Sequence, residues 1–154
     1  MQVETRRFGT IAVHEDELFH LPIGIPGFNR MRRAALIGAD PCTYWLQDID
    51  DGDLAFLCIV PWDVFPDYDL EIDEQQLGIA DHHDVRVLNL VTVRRGDDDV
   101  CMTANLRAPI VVDVRQRKLT QVILADSRWS VQEPMGQRAV DVHPAVAERV
   151  AEVC

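Results

Sequence analysis

Thr103-Ala-Asn-Leu-Arg-Ala-Pro-Ile-Val-Val-Asp113 is a turn that opens directly into a short strand. Asn105 tolerates the left-handed backbone region. Pro109 has no amide donor and so belongs at the start or edge of a strand. Ile110-Val-Val112 is an apolar β-branched run. Beyond Asp113 the polar residues Arg115-Gln-Arg-Lys118 separate this run from a second one at 119–124, which together predict a hairpin. The same alternation recurs upstream. Residues 85–95 lead through Gly96-Asp-Asp-Asp99 into 100–106, and residues 43–49 lead through Asp50-Asp-Gly-Asp53 into 54–60. The run Leu54-Ala-Phe-Leu-Cys-Ile-Val60 has no polar residue, so a strand buried on both faces is expected there. Residues 34–37 are a short apolar run closed by Gly38 and Asp40-Pro41. Residues 9–13 and 17–21 flank Glu15-Asp16 and predict a first hairpin.

Helix signals are few. Residues 72–79 read as one short internal helix ending near Gly78. Residues 144–153 read as a C-terminal helix, with Pro144 in its first turn and Val146, Val150 and Val153 on one face. The chain is therefore expected to be mainly β, a small antiparallel β-barrel or sandwich with one short internal helix and a short C-terminal helix. Residues 1–136 read as one β domain and 137–154 as a tail, helical from about 144. The 154 residues fit one domain, and a domain of that size buries roughly 70% of its unfolded-chain surface.

No apolar run reaches the ~18 residues of a membrane helix. The first seven residues carry charge without the apolar stretch of a signal peptide. Cys42, Cys58, Cys101 and Cys154 form no C-x-x-C pair, and reduced thiols in a cytoplasmic protein are the simplest reading. Charge is distributed unevenly. Residues 34–85 hold 13 acids and no Lys or Arg, against a whole-chain net charge of −11. The rest of the chain is slightly basic, with 15 bases and 13 acids (26 acids in all, less those 13). Such asymmetry either keeps a solvated face or attracts a basic partner while repelling nucleic acid.

Chemistry-bearing patterns are sparse. Asp81-His-His-Asp84 has metal-ligand residue types, but adjacent histidines on a strand would point to opposite faces, so a solvated loop is expected. Asp48, Asp50, Asp51 and Asp53 lack the twelfth-position Glu of a calcium loop, where Ile59 stands. Ser127 and Ser130 are the only serines, and no G-x-S-x-G, G-x-G-x-x-G or Walker pattern occurs. Arg115-Gln-Arg-Lys118 is the densest basic patch, too small to bind a phosphate backbone from a protein of this charge. Phe56 and Trp45 belong to the core. Phe28, Trp62, Phe65 and Tyr68 stand among Gly, Pro and Asp, either as interface anchors or as caps over the barrel.

A second stretch, Leu21-Pro-Ile-Gly-Ile-Pro-Gly-Phe28, fixes φ at its prolines and frees it at its glycines. Taken with Asn105-Leu-x-Ala-Pro-Ile110, Gly9-Thr-Ile11, Tyr44-Trp-Leu-Gln-Asp48, Leu54-Ala-Phe56, Pro61, Asp67-Tyr68 and Gln121-Val-Ile-Leu124, it resembles the flagellar assembly factor FliW family. Asp48 stands where that family more often has serine, Asp113 where it often has asparagine, and Lys118-Leu-Thr120 where a glycine turn is usual. The resemblance runs from about Phe8 to about Ser130. It implies a non-enzymatic, cytoplasmic protein that binds flagellin and, alternatively, the translational regulator CsrA, relieving repression of flagellin synthesis. A dedicated flagellin chaperone and, more remotely, a carboxylate-using hydrolase are the rival readings. The resemblance, the charge and the loop aromatics together nominate Phe28, Phe65, Asp67, Tyr68, Asp69, Glu71, Asn105, Leu106 and Pro109 for partner binding. The protein is expected to be a monomer with no cofactor and no metal, contacting neither nucleic acid nor membrane.

Overall fold

The structure is a computed structural model and describes residues 1–126 and 128–135. The tail expected to be helical from about 144 lies outside the described residues. Among the described residues eleven strands follow one another: β1 (Gln2–Thr5), β2 (Gly9–Ala12), β3 (Phe19–His20), β4 (Arg33–Asp40), β5 (Thr43–Asp48), β6 (Ala55–Ile59), β7 (Val85–Arg95), β8 (Val100–Ala104), β9 (Ile110–Asp113), β10 (Lys118–Gln121) and β11 (Glu133–Pro134). Among the described residues the only helical segments are single 3-10 turns.

Three hairpins form where turn chemistry predicts them: β5–β6, β7–β8 and β9–β10. The ring closes through long-range pairings. β6 joins β7, β7 joins β9, and β10 meets β3 in parallel through Lys118 and His20. The order β7-β6-β5-β4-β3-β10-β9 and back to β7 is a closed barrel, so the barrel alternative holds. β7 makes this possible by its length. Its first half, Val85 to Leu88, pairs with β9, and its second half, Val91 to Arg95, pairs with β8 outside the ring.

The two-residue period of the strands separates the barrel interior from an outer core, and a third, smaller cluster gathers Val3, Val13, Leu18, Ala35 and Ile49. Inward residues Phe19, Ala34, Leu46, Cys58, Leu88, Ile110, Val112 and Leu119 fill the barrel with Leu21, Ile25 and Met31. Outward residues Trp45, Leu57, Ile59, Val93, Met102 and Ala104 build a second core under the 61–70 loop, with Leu106, Leu124 and Met135. Leu57, Cys58 and Ile59 are all buried, as an uninterrupted apolar strand requires. Burial in the barrel pushes the Cys58 thiol up to about 12, so it stays protonated and inert.

Two expectations fail. The first hairpin is not 9–13 with 17–21. β2 pairs instead with β1, a single 3-10 turn Glu15–Glu17 follows, and β3 joins the barrel against β4. Gly52 helps to seat β1, because its Cα lies so close that a Cβ there would meet the Glu4 carbonyl oxygen at 2.0 Å, while its own oxygen accepts from the Arg6 amide at 3.0 Å. Nor is 72–79 a helix. Exposed and half-buried residues alternate from Asp69 to Glu74, so this part is an extended strap, and turns follow up to Gly78 at φ +72°.

Asp48 ends β5 buried to 2% exposure. One of its oxygens accepts from the Asp50 amide at 2.9 Å. Burial holds its carboxyl above the ordinary range, with the backbone amides of Asp50 and Asp51 pulling the other way. A raised folded-state pKa means the folded protein binds this proton more tightly. The resulting stability is complete below the unfolded-state value and is lost as pH rises through the folded-state value. At neutral pH the buried charge is therefore a cost, and Asp48→Asn, which keeps an oxygen for the amide, should melt higher than wild type at pH 7. The gap should narrow on acidification into the carboxylate range. Thermal melts at several pH values check this, and a lower melting temperature for Asp48→Asn at pH 7 would refute it.

Candidate interaction groove

The strap dominates one side of the barrel. Its root is Tyr68, 3% exposed, whose hydroxyl donates to the Leu106 carbonyl oxygen at 2.6 Å. Burial holds the phenol above its usual pKa, so it remains a donor. Two indoles grip the neighbouring backbone. Trp62 Nε1 donates to the Tyr68 oxygen and Trp129 Nε1 to the Asp69 oxygen, each at 2.8 Å. Both rings also pack against Tyr68, with centroids 6.1 and 5.0 Å away. At the far end Lys118 Nζ donates to the Leu77 oxygen at 2.7 Å and Gln116 Nε2 to the Gly78 oxygen at 2.8 Å. The segment between is thus tied down by side chains at both ends rather than by a strand ladder.

Alternation along the strap gives it two faces. Leu70 and Ile72 lie inward, while Asp69, Glu71 and Asp73 are exposed. The acids form one wall of a groove of about 790 Å³, whose other side is Ile23 and the segment from Thr120 to Asp126. Ile23 and Ile123 are 65% and 75% exposed there, which is unusual for side chains of this type. Asp126 adds a further carboxylate at the groove. It is paired with Arg128 at 2.7 Å, and hydrogen bonds from the Arg128 backbone and side chain hold it below its ordinary pKa. An apolar floor beside a row of carboxylates suits a basic, amphipathic protein segment.

The nominated residues divide by position. Asp69 and Glu71 line the groove, and Asp67 is exposed beside it. Tyr68, Leu106 and Pro109 are buried, so they shape the site and cannot offer their side chains to a partner. The Pro109 and Arg107 carbonyl oxygens accept from the Val122 and Leu124 amides at 3.0 and 2.8 Å, which sets the segment carrying Ile123. Asn105 Oδ1 accepts from the Ala108 amide at 3.0 Å, closing the turn ahead of Pro109. Beneath it Asn89, fully buried, donates to the Asn105 carbonyl oxygen at 2.8 Å. Asn105→Ala should lose the Ala108 bond and about 1 kcal/mol of stability, read from urea denaturation. An unchanged midpoint would show that the turn does not depend on this side chain.

Phe28 and Phe65 lie apart from the groove. Phe28, 43% exposed, stands edge-on to Phe56 at 4.9 Å and caps the barrel at the start of β6. Phe65 is half buried on the outer core. Sequence reasoning did not nominate Ile23, Ile123, Asp126 or Trp129. Ile23 sits inside the quoted Leu21–Phe28 stretch, between Pro22 and Gly24, and a large apolar residue in so tight a turn was the available signal.

Two stretches that carry the family resemblance thus line one groove, 21–28 through Ile23 and 121–124 directly, and a third, 105–110, supports it through the Pro109 carbonyl. The model of the FliW protein family matches residues 2–135. The chain belongs to the FliW family. It is 36% identical to the flagellar assembly factor FliW of Syntrophus aciditrophicus (strain SB), over 85% of each chain. It is 34% identical to that of Treponema pallidum (strain Nichols), over 99% of this chain and 98% of the relative. A crystal structure of the flagellar assembly factor FliW superposes with a TM-score of 0.79 at 30% identity, covering 88% of this chain and 96% of the other. A FliW fold and a place in flagellar assembly follow. Among the described residues no helix is long and apolar enough to cross a membrane.

Proposed function

We propose that this FliW-family protein is a partner switch without catalytic activity, holding either flagellin or the translational regulator CsrA and relieving repression of flagellin synthesis when it holds the regulator. It acts in the cytoplasm as a monomer, without cofactor and without direct contact to nucleic acid or membrane. The observation that carries this reading is the acid-walled groove. Asp69, Glu71 and Asp73 stand exposed on a strap fixed at both ends, beside two exposed isoleucines.

A fixed row of carboxylates attracts a basic protein before contact and repels phosphate within about a Debye length, ~8 Å at physiological salt. A regulator that binds RNA through a basic surface meets both effects at once. The strap beside that surface expels RNA by charge without covering every base-reading contact. The apolar floor supplies the contact area that a salt-bridged rim alone lacks, since exposed ion pairs contribute only ~0–1 kcal/mol each.

Competition tests the switch. Flagellin monomer titrated into a preformed complex with CsrA should release the regulator in proportion to the flagellin bound, followed by size-exclusion chromatography or a labelled CsrA. A ternary complex retaining full CsrA occupancy would overturn mutual exclusion. A chain that binds flagellin but never CsrA would instead be a dedicated chaperone.

A further inference from the structure

On a strand, the adjacent histidines of Asp81-His82-His83 would point to opposite faces. The structure removes that premise. These residues open a 3-10 turn, His82–Asp84, capped by Asp81, whose side chain accepts from the His83 amide at 2.9 Å. On this turn the two imidazoles lie on the same side, with ring centroids 4.0 Å apart. Both present Nδ1 to one carboxylate oxygen: His83 at 2.8 Å and His82 at 4.0 Å from Asp81 Oδ1. One ligand atom from each of the three residues lies within 4.8 Å of the others. We infer that Asp81, His82 and His83 form a binding site for a divalent transition-metal ion at the rim of the barrel mouth.

The donor set selects the ion class. Two neutral imidazoles and one carboxylate suit Zn²⁺, Ni²⁺ or Cu²⁺ rather than the oxygen-seeking Ca²⁺ or Mg²⁺. Donors bound ~2.0–2.2 Å from a common tetrahedral ion lie roughly 3.4 Å apart, so the His83–Asp81 pair at 2.8 Å must open and the His82–Asp81 pair at 4.0 Å must close. All three side chains are exposed, so packing does not hold them in place.

The backbone is already held. The Asp84 amide donates to the Asp81 oxygen at 3.0 Å, the Val114 amide to the Asp84 oxygen at 3.0 Å, and Arg86 Nη1 to the His83 oxygen at 2.8 Å. Little ordering remains for the ion to impose. The Arg86 charge opposes a cation, while the Asp81 carboxylate and Glu74, which lines the same mouth, favour one. His82 also lines the apolar mouth of about 560 Å³, together with Glu74 and Arg86. An ion held there has only three protein donors, and the rest of its coordination is open to water or to a donor on a bound protein.

Isothermal titration of the full chain with Ni²⁺ and separately with Zn²⁺ tests the site. One ion per chain should bind with a micromolar Kd, and His82→Ala and His83→Ala should each weaken binding at least tenfold. Asp81→Asn keeps the cap acceptor and so the turn, yet should weaken binding as well. Circular dichroism of each variant confirms the fold. Paramagnetic Ni²⁺ should broaden the amide resonances of residues 81–84 first and then those of their neighbours Arg86 and Val114, ahead of the rest of the chain. Binding no tighter than millimolar, or unchanged in the double variant His82→Ala/His83→Ala, would overturn the proposal.

Discussion

Tyr68→Ala is expected to destabilise the protein by about 3–5 kcal/mol, the range for removing a buried aromatic, and to abolish high-affinity binding at the groove. The side chain is 3% exposed and packed between the rings of Trp62 and Trp129. Truncation leaves the Leu106 carbonyl without its hydroxyl donor and removes the surface against which both indoles rest. The indoles in turn hold the backbone oxygens of residues 68 and 69, so the strap loses its root. Tyr68→Phe separates packing from hydrogen bonding. It keeps the rings stacked and should cost only about 1–3 kcal/mol, for the buried acceptor left unpaired. Chemical denaturation measures both. Equal, small losses for the two variants would mean that the clamp does not anchor the strap.

What was legible in the sequence follows the range of the interactions. The β5–β6, β7–β8 and β9–β10 hairpins are written in local turn chemistry, at Asp50–Asp53, Gly96–Asp99 and Arg115–Lys118, and all three appear. Barrel closure is not local. It depends on Val85 to Leu88 finding β9 and on a single parallel pairing of His20 with Lys118, and neither leaves a pattern in its neighbours. The N-terminal pairing was missed because Gln2–Thr5 alternates buried Val3 and Thr5 with charged and polar residues and reads as a charged start. In the strap, Ile72, Leu77 and Ile79 suggest a helical face that the chain does not form. Ile72 is spaced to line both the groove and the mouth, and Ile79 is buried after the turn at Gly78.

The site shows the same division. The acids at 69–73 were visible as charge. Tyr68 looked like a loop aromatic because Pro66, Asp67 and Asp69 surround it, yet the partner of its hydroxyl is 38 residues away. The 13 acids of segment 34–85 are also not one surface. Asp48 is buried, and Asp50 is paired with Arg33 at 2.6 Å, which holds its carboxyl below the ordinary range. The strap acids are the ones left facing the groove.

Those acids carry the second large effect. Screening shortens their reach from ~10 Å at 0.1 M salt to ~3 Å at 1 M, and electrostatic steering raises on-rates by about 10–1,000-fold. Association with CsrA should therefore slow steeply as salt rises. The variant Asp67→Asn, Asp69→Asn, Glu71→Gln, Asp73→Asn, Glu74→Gln should bind slowly at low salt and respond little to further salt. These positions are exposed or half buried on the strap, so folding should survive, as a thermal melt would verify. On the proposed switch, flagellin binding is expected to rest on apolar contacts and should show a shallower slope and a smaller response to the five substitutions. The decisive measurement is the on-rate for each partner across a salt series, with wild type and the neutralised variant. The acid-walled groove predicts a steep, substitution-sensitive slope for CsrA and a shallow one for flagellin. Equal slopes for both partners, or a CsrA on-rate indifferent to the five substitutions, would contradict it.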